Sequence, residues 1–195
     1  MSQSVEHLLR TLAAVPIGSR ILDLGCGLSG LVEALVRLGF DVYACDTNPG
    51  AVDEVRGALS EHLDPEQAAK RVVVSELAAL GFPDDFFDWI AAVGVLERLE
   101  SRDAMVDVLE EARRVLRPGG WIFVTAPALP EQIIDDSRRG YAGDSGLEPS
   151  FTSRTLDELL TEAGYVVAEP PSIQSQDGER VLQAIYRRVE PGTSL

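Results

Sequence analysis

The stretch Arg20-Ile21-Leu22-Asp23-Leu24-Gly25-Cys26-Gly27-Leu28-Ser29-Gly30 decides the fold of this chain. A short apolar run breaks into glycines, and Leu31, Ala34, Leu35 and Leu38 then recur at helical spacing, so the stretch predicts a strand, a tight turn and a helix. Glycines at 25 and 27 leave no Cβ to hold a ligand off the backbone, and the helix start presents unsatisfied N–H groups. Such a turn favours an anionic or carboxylate-bearing ligand. On the glycines alone two ligand classes compete. Gly25, Gly27 and Gly30 satisfy the G-x-G-x-x-G pattern of dinucleotide-binding turns, and Asp46 lies near the distance at which an acid holds the ribose of NAD. Asp23 tips the balance, because a pyrophosphate would meet an unwelcome negative charge there while an ammonium group would be welcome.

Downstream, Gly39 supplies a helix stop, and residues 41–45 read as a second strand with Asp46 at its tip. An acid at that tip, beside the glycine turn, can accept both hydroxyls of a ribose. Asn48 and Pro49 make a cap and first residue for a helix that buries Val52, Val55 and Leu59. Residues 71–75 form a third strand and residues 87–93 a fourth, whose carboxyl end should lie beside the first. Ser101 caps a long helix with Met105, Val108, Leu109, Ala112, Val115 and Leu116 facing inward, and residues 117–120 turn it into the fifth strand. Residues 126–150 lack periodicity and read as a binding loop or lid. Residues 155–164 return to helical spacing. Residues 165–168 and 181–189 then read as two strands joined by the polar loop 169–179. Upstream, Val5, Leu8, Leu9 and Leu12 lie on one face of a leading helix, with Ser4 or Ser2 as its cap.

The run Leu22-Asp23-Leu24-Gly25-Cys26-Gly27 resembles the first motif of the class I S-adenosylmethionine-dependent methyltransferases, of the type 11/12-like kind that act on small molecules. Arg114-Val115-Leu116-Arg117-Pro118-Gly119-Gly120-Trp121-Ile122-Phe123-Val124 resembles the turn into that family's fifth strand. The resemblance covers roughly residues 20–189 and departs from the family at Ser29, where a glycine is usual. It implies an α/β, Rossmann-like, seven-stranded, mostly parallel sheet with one antiparallel strand and helices on both faces. It also implies S-adenosyl-L-methionine as the cofactor, the methionine end held by Asp23, Gly25, Cys26 and Gly27. Asp46 and Thr47 would take the ribose. Glu76 would accept the adenine amino group, with the Leu77 N–H on a ring nitrogen, and Ala92 and Val93 would close the cleft at the end of the fourth strand. At Glu97-Arg98 the family commonly has glutamate followed by histidine. The only histidines, His7 and His62, lie far from the motifs, so a histidine general base is not expected and no catalytic residue is named.

Charge and composition narrow the acceptor. A net charge of -15 disfavours nucleic acid, which is bound by neutralising phosphates. Two cysteines make no disulfide framework or zinc site, and no metal is expected. Without a leader pattern or a membrane-length apolar run, a cytoplasmic protein without membrane partners is expected. The sequence leaves the oligomeric state open. The domain reading is an N-terminal helix over residues 1–19, a methyltransferase domain over 20–189 and a tail at 190–195. The leading helix is either a small lid or the cover of one sheet edge. Arg138, Arg139 and Tyr141, with Glu97 and Arg98, are the candidate contacts to a small-molecule acceptor. The rival functions are an NAD(P)-dependent oxidoreductase and a cofactor-binding regulatory protein without turnover.

Overall fold

The computed structural model describes residues 3–27, 30–129, 151–176 and 179–189. In chain order the elements are α1 (Gln3–Leu12), β1 (Arg20–Leu24), α2 (Leu31–Arg37), β2 (Asp41–Asp46), α3 (Pro49–Ala58), α4 (Pro65–Arg71) and β3 (Val72–Val74). They continue as β4 (Phe87–Ala92), α5 (Arg102–Val115), β5 (Leu116–Pro127), α6 (Ser153–Glu162), β6 (Tyr165–Gln176) and β7 (Glu179–Arg188). The strands form one seven-stranded sheet in the order β3-β2-β1-β4-β5-β7-β6. β1 to β5 pair in parallel, and β7 runs antiparallel to both its neighbours. The expected mixed sheet is therefore present. The chain leaves β1 toward β2 on one side and returns to β4 on the other, so the carboxyl ends of β1 and β4 border the crevice where open α/β sheets bind ligands.

Period-two alternation divides the core. Leu22, Leu24, Ile90, Ile122 and Val124 face α5 and α6, where Met105, Leu109, Leu156 and Leu160 meet them. Ile21, Val42, Ala44, Trp89, Ala91 and Phe123 face α1, α2 and α3, which contribute Leu8, Leu31, Leu35 and Val52. Strands covered on both faces need apolar residues in both registers, which is why they read as nearly continuous apolar runs. Truncating one such buried leucine to alanine typically costs about 2–5 kcal/mol.

Local signals place most boundaries. Asn48 accepts from the Gly50 N–H and Ser101 from the Ala104 N–H, as their positions predict. Four readings are corrected. Ser4 is buried inside α1 and does not cap it, while Ser2 lies outside the described residues. Residues 117–120 do not separate α5 from β5. β5 begins at Leu116, opposite Phe87, and the register shifts before Trp89 meets Trp121, so the glycines sit in an irregularity of the strand. The loop over 169–179 is also replaced by strand, because β6 runs to Gln176 and β7 starts at Glu179. Pro170 and Pro171 fall at register shifts in β6, an edge strand, where a missing N–H is tolerated. Finally, α4 went unread, although Asp64 caps it and Pro65 opens it. The proposed loop contacts Arg138, Arg139 and Tyr141 lie outside the described residues, as does the tail. No described helix is long and apolar enough to cross a membrane.

Candidate active site

The turn after β1 is held in a shape that needs glycine. Gly25 and Gly27 have φ of 68° and 47°, in the left-handed region that penalises a side chain. A Cβ on Gly25 would stand 3.0 Å from Cγ2 of Val95, so the turn also lies close against the segment that follows β4. Two hydrogen bonds stitch the turn to β2. The Cys26 N–H donates to the Cys45 carbonyl at 3.0 Å, and the Gly27 N–H donates to Oδ2 of Asp46 at 2.9 Å. The other Asp46 oxygen accepts from the Asn48 N–H at 2.9 Å. Asp46 thus holds the turn and the end of its own strand, and each oxygen keeps a second lone pair.

Asp23 lies beneath the turn, 2% exposed, and its Oδ2 has no hydrogen-bond partner among the described residues. Burial, reinforced by the nearby charge of Asp46, pushes its carboxyl up to about 8. A buried oxygen without a partner costs free energy that a ligand donor would recover. The two thiols have a different fate. Burial pushes Cys26 and Cys45 up to about 12, which keeps them as uncharged packing groups.

From the turn a cavity of about 370 Å³ runs toward α5. It is lined by Gly25, Asp46, Thr47, Glu76 and Leu77 together with Val95, Arg98, Leu99, Ser101, Ala104 and Val108. The expected cofactor residues Gly25, Asp46, Thr47, Glu76 and Leu77 therefore line one cavity. Gly27 and Asp23 sit at and beneath its end, while Cys26 is buried in the core. Ala92 is also buried and can offer only backbone, and neither it nor Val93 lines this cavity. Glu97 lies beside the site, its Oε1 3.4 Å from where a Cβ on Gly94 would be. His7 is engaged elsewhere, 3.0 Å from Glu169 on β6.

Several contributors escaped the sequence reading. Thr125, buried on β5, accepts from the Gly94 N–H at 2.9 Å and fixes the bend after β4. Arg114 on α5 gathers the segment after β3. Its guanidinium donates to the carbonyls of Leu80 and Phe82 and to Asp84 and Glu111, and Glu111 accepts from the Leu80 N–H at 2.6 Å. That network fixes the course of the segment carrying Glu76 and Leu77. The Arg114 hydrogen bond is also the main reason that the Glu111 carboxyl lies below its ordinary range. Only the Glu111–Arg114 pair is local; the contacts across the fold are not visible as a motif, because those partners lie 30 or more residues apart.

Residues 22–124 match the family described as "Methyltransferase domain". The chain belongs to the class I S-adenosylmethionine-dependent methyltransferases. Among similar curated proteins, this methyltransferase is 34% identical over 118 residues to a ubiquinone biosynthesis O-methyltransferase of Alkalilimnicola ehrlichii, covering 60% of the chain and 45% of that protein. It is 29% identical over 114 residues to the 2-methyl-6-phytyl-1,4-hydroquinone methyltransferase of a Synechocystis strain, covering 58% of the chain and 33% of that protein. The matches thus span less than half the length of either relative. In fold it resembles an S-adenosylmethionine-dependent methyltransferase from Methanosarcina mazei, with a TM-score of 0.73 and 17% identity, covering 92% of this chain and 97% of that one. It also resembles magnesium protoporphyrin IX methyltransferase of Synechocystis with bound S-adenosylhomocysteine, with a TM-score of 0.72 and 17% identity, covering 95% and 82%. Among the described residues, no cluster of three or more His, Cys, Asp or Glu is placed to hold a metal ion.

Proposed function

We propose that this chain transfers a methyl group from S-adenosylmethionine to a small-molecule acceptor. The observation that carries the reading is the unpartnered buried oxygen of Asp23 under a left-handed glycine turn. Asp23 would take the ammonium group of the cofactor's methionine end. The spare lone pairs of Asp46 would accept the ribose hydroxyls, with Thr47 beside them. Glu76 and the Leu77 backbone would meet the adenine edge, while Leu77, Val95, Leu99 and Val108 offer apolar walls to a flat ring. When bound, the cofactor supplies a methyl group already activated on sulfonium.

The protein's own task is positional. Holding donor and acceptor in line and excluding water can lower a barrier by about 7–11 kcal/mol, so the site needs few reactive side chains. A proton leaving the acceptor would pass to Glu97, which lies beside Gly94, to an acid of the later loop, or to solvent. A small-molecule acceptor is supported by the net charge of -15, which opposes nucleic acid, and by relatives named for a substituted hydroquinone and for ubiquinone biosynthesis.

The test joins binding to turnover. S-adenosylhomocysteine at one hundred times its Kd should add about 2.7 kcal/mol of stability, a rise of roughly 5–10 °C in Tm at this size, while NADH should give none. Labelled S-adenosylmethionine incubated with a metabolite extract should place label in the small-molecule fraction. A shift from NADH alone, or binding without label transfer to any small molecule, would contradict the reading.

A further inference from the structure

Arg98 stands apart from the other charges of the cleft. It ends a short 3-10 turn, Leu96–Arg98, just after β4. Its Nη1 lies 3.9 Å from the position of a Cβ on Gly27, and its Nη2 3.9 Å from that of a Cβ on Gly94. The guanidinium therefore spans the space between the glycine turn and the bend after β4. Among the described residues, the charged ones lining the cavity are Asp46, Glu76, Glu100 and Arg98, so there Arg98 is the one cation beside three carboxylates. Arg71, Arg114, Arg117 and Arg188 each lie against a carboxylate. No described carboxylate pairs with Arg98.

The geometry points to a ligand carboxylate as its partner. An amino acid is a zwitterion, and its two charges sit on one carbon. If Asp23 takes the ammonium group, the carboxylate must find a partner at the same turn. Two of the turn's described donors are already engaged, since the Cys26 N–H serves Cys45 and the Gly27 N–H serves Asp46. A guanidinium above Gly27 supplies the missing donors in a fork that matches a carboxylate. We propose that Arg98 pairs with the carboxylate of the cofactor's methionine end, so that the turn reads both charges of the zwitterion. This rests on the reading that the glycine turn holds that end.

The experiment compares two ligands that differ only by that carboxylate. Parent, Arg98→Gln and Arg98→Lys are titrated calorimetrically with S-adenosylmethionine and with decarboxylated S-adenosylmethionine. Arg98 is exposed, so each variant should melt like the parent. Arg98→Gln should weaken S-adenosylmethionine about tenfold or more, and Arg98→Lys by less, because lysine keeps the charge and loses the fork. The decarboxylated ligand should bind Arg98→Gln as well as the parent or better, since it is a more cationic ligand approaching one fewer cation. Equal losses for both ligands would mean that Arg98 stacks on the nucleoside or supports the fold, and would overturn the assignment. Unchanged affinity for S-adenosylmethionine would overturn it too, while leaving the cofactor site intact. A parent that binds neither ligand would overturn the assignment together with the site on which it rests.

Discussion

Asp23 under the glycine turn and Glu111 on α5 are both shielded carboxylates, yet the protein treats them in opposite ways. Glu111 is held by Arg114 and by the Leu80 N–H, and its carboxyl lies below the ordinary range. Asp23 has one oxygen without a partner, and burial pushes it up to about 8. The first arrangement is complete within the chain and fixes a segment of the cleft wall. The second is incomplete within the described chain, and a cationic ligand group would complete it. On the proposed reading, the satisfied carboxylate of this pair serves architecture and the unsatisfied one would serve a ligand.

Breaking the satisfied side should give the largest effect. Arg114→Ala leaves Glu111 without its cation and removes the donors to Leu80 and Phe82, so stability should fall by about 3 kcal/mol, measured by urea unfolding. Loss of less than about 1 kcal/mol would mean that the network is ornamental. On the ligand side, Asp46→Ala should weaken S-adenosylhomocysteine by about 2 kcal/mol in a calorimetric titration, because it removes acceptors for the ribose and frees the Gly27 N–H. Equal titration curves for variant and parent would remove Asp46 from the site. Glu76 is exposed, so Glu76→Ala should cost about 1 kcal/mol or less in affinity and leave the Tm unchanged. A larger loss than for Asp46→Ala would invert the expected ranking of the two acids.

The sequence makes the ligand side more legible than the wall that supports it. Asp23, Gly25, Gly27 and Asp46 fall within one strand-turn-helix-strand unit, where local spacing and residue chemistry suffice. The strands around them are short apolar runs with clear ends, and the mostly parallel sheet was anticipated from the family resemblance. Arg114, Thr125 and Val95 act across the fold, and nothing in their immediate neighbours announces the carbonyls, N–H groups or glycine they meet. The closing antiparallel hairpin was expected, but the length of its loop was misjudged for a related reason. Pro170 and Pro171 signal a loop locally, but on an edge strand their missing donors face no partner that needs them. Asp23 itself was legible as an acid before the glycine turn, whereas the lack of a partner for its Oδ2 among the described residues depends on every element packed around it.

The direct test of the account is the stability of the Asp23→Asn variant with and without ligand. The folded protein holds the Asp23 proton up to about pH 8, whereas the unfolded chain releases it near 3.8. Between those values the native state binds more protons, so this group's contribution to stability is full below pH 4 and declines as pH rises, by up to about 1.4 kcal/mol per pH unit. Urea unfolding at pH 5 and pH 7.5 should show the parent losing stability relative to Asp23→Asn as pH rises. The variant should also lose most of the stabilisation that S-adenosylhomocysteine gives the parent at pH 7.5. A variant that is less stable than the parent at both pH values, with its response to S-adenosylhomocysteine unchanged, would contradict the claim that Asp23 is kept for a ligand.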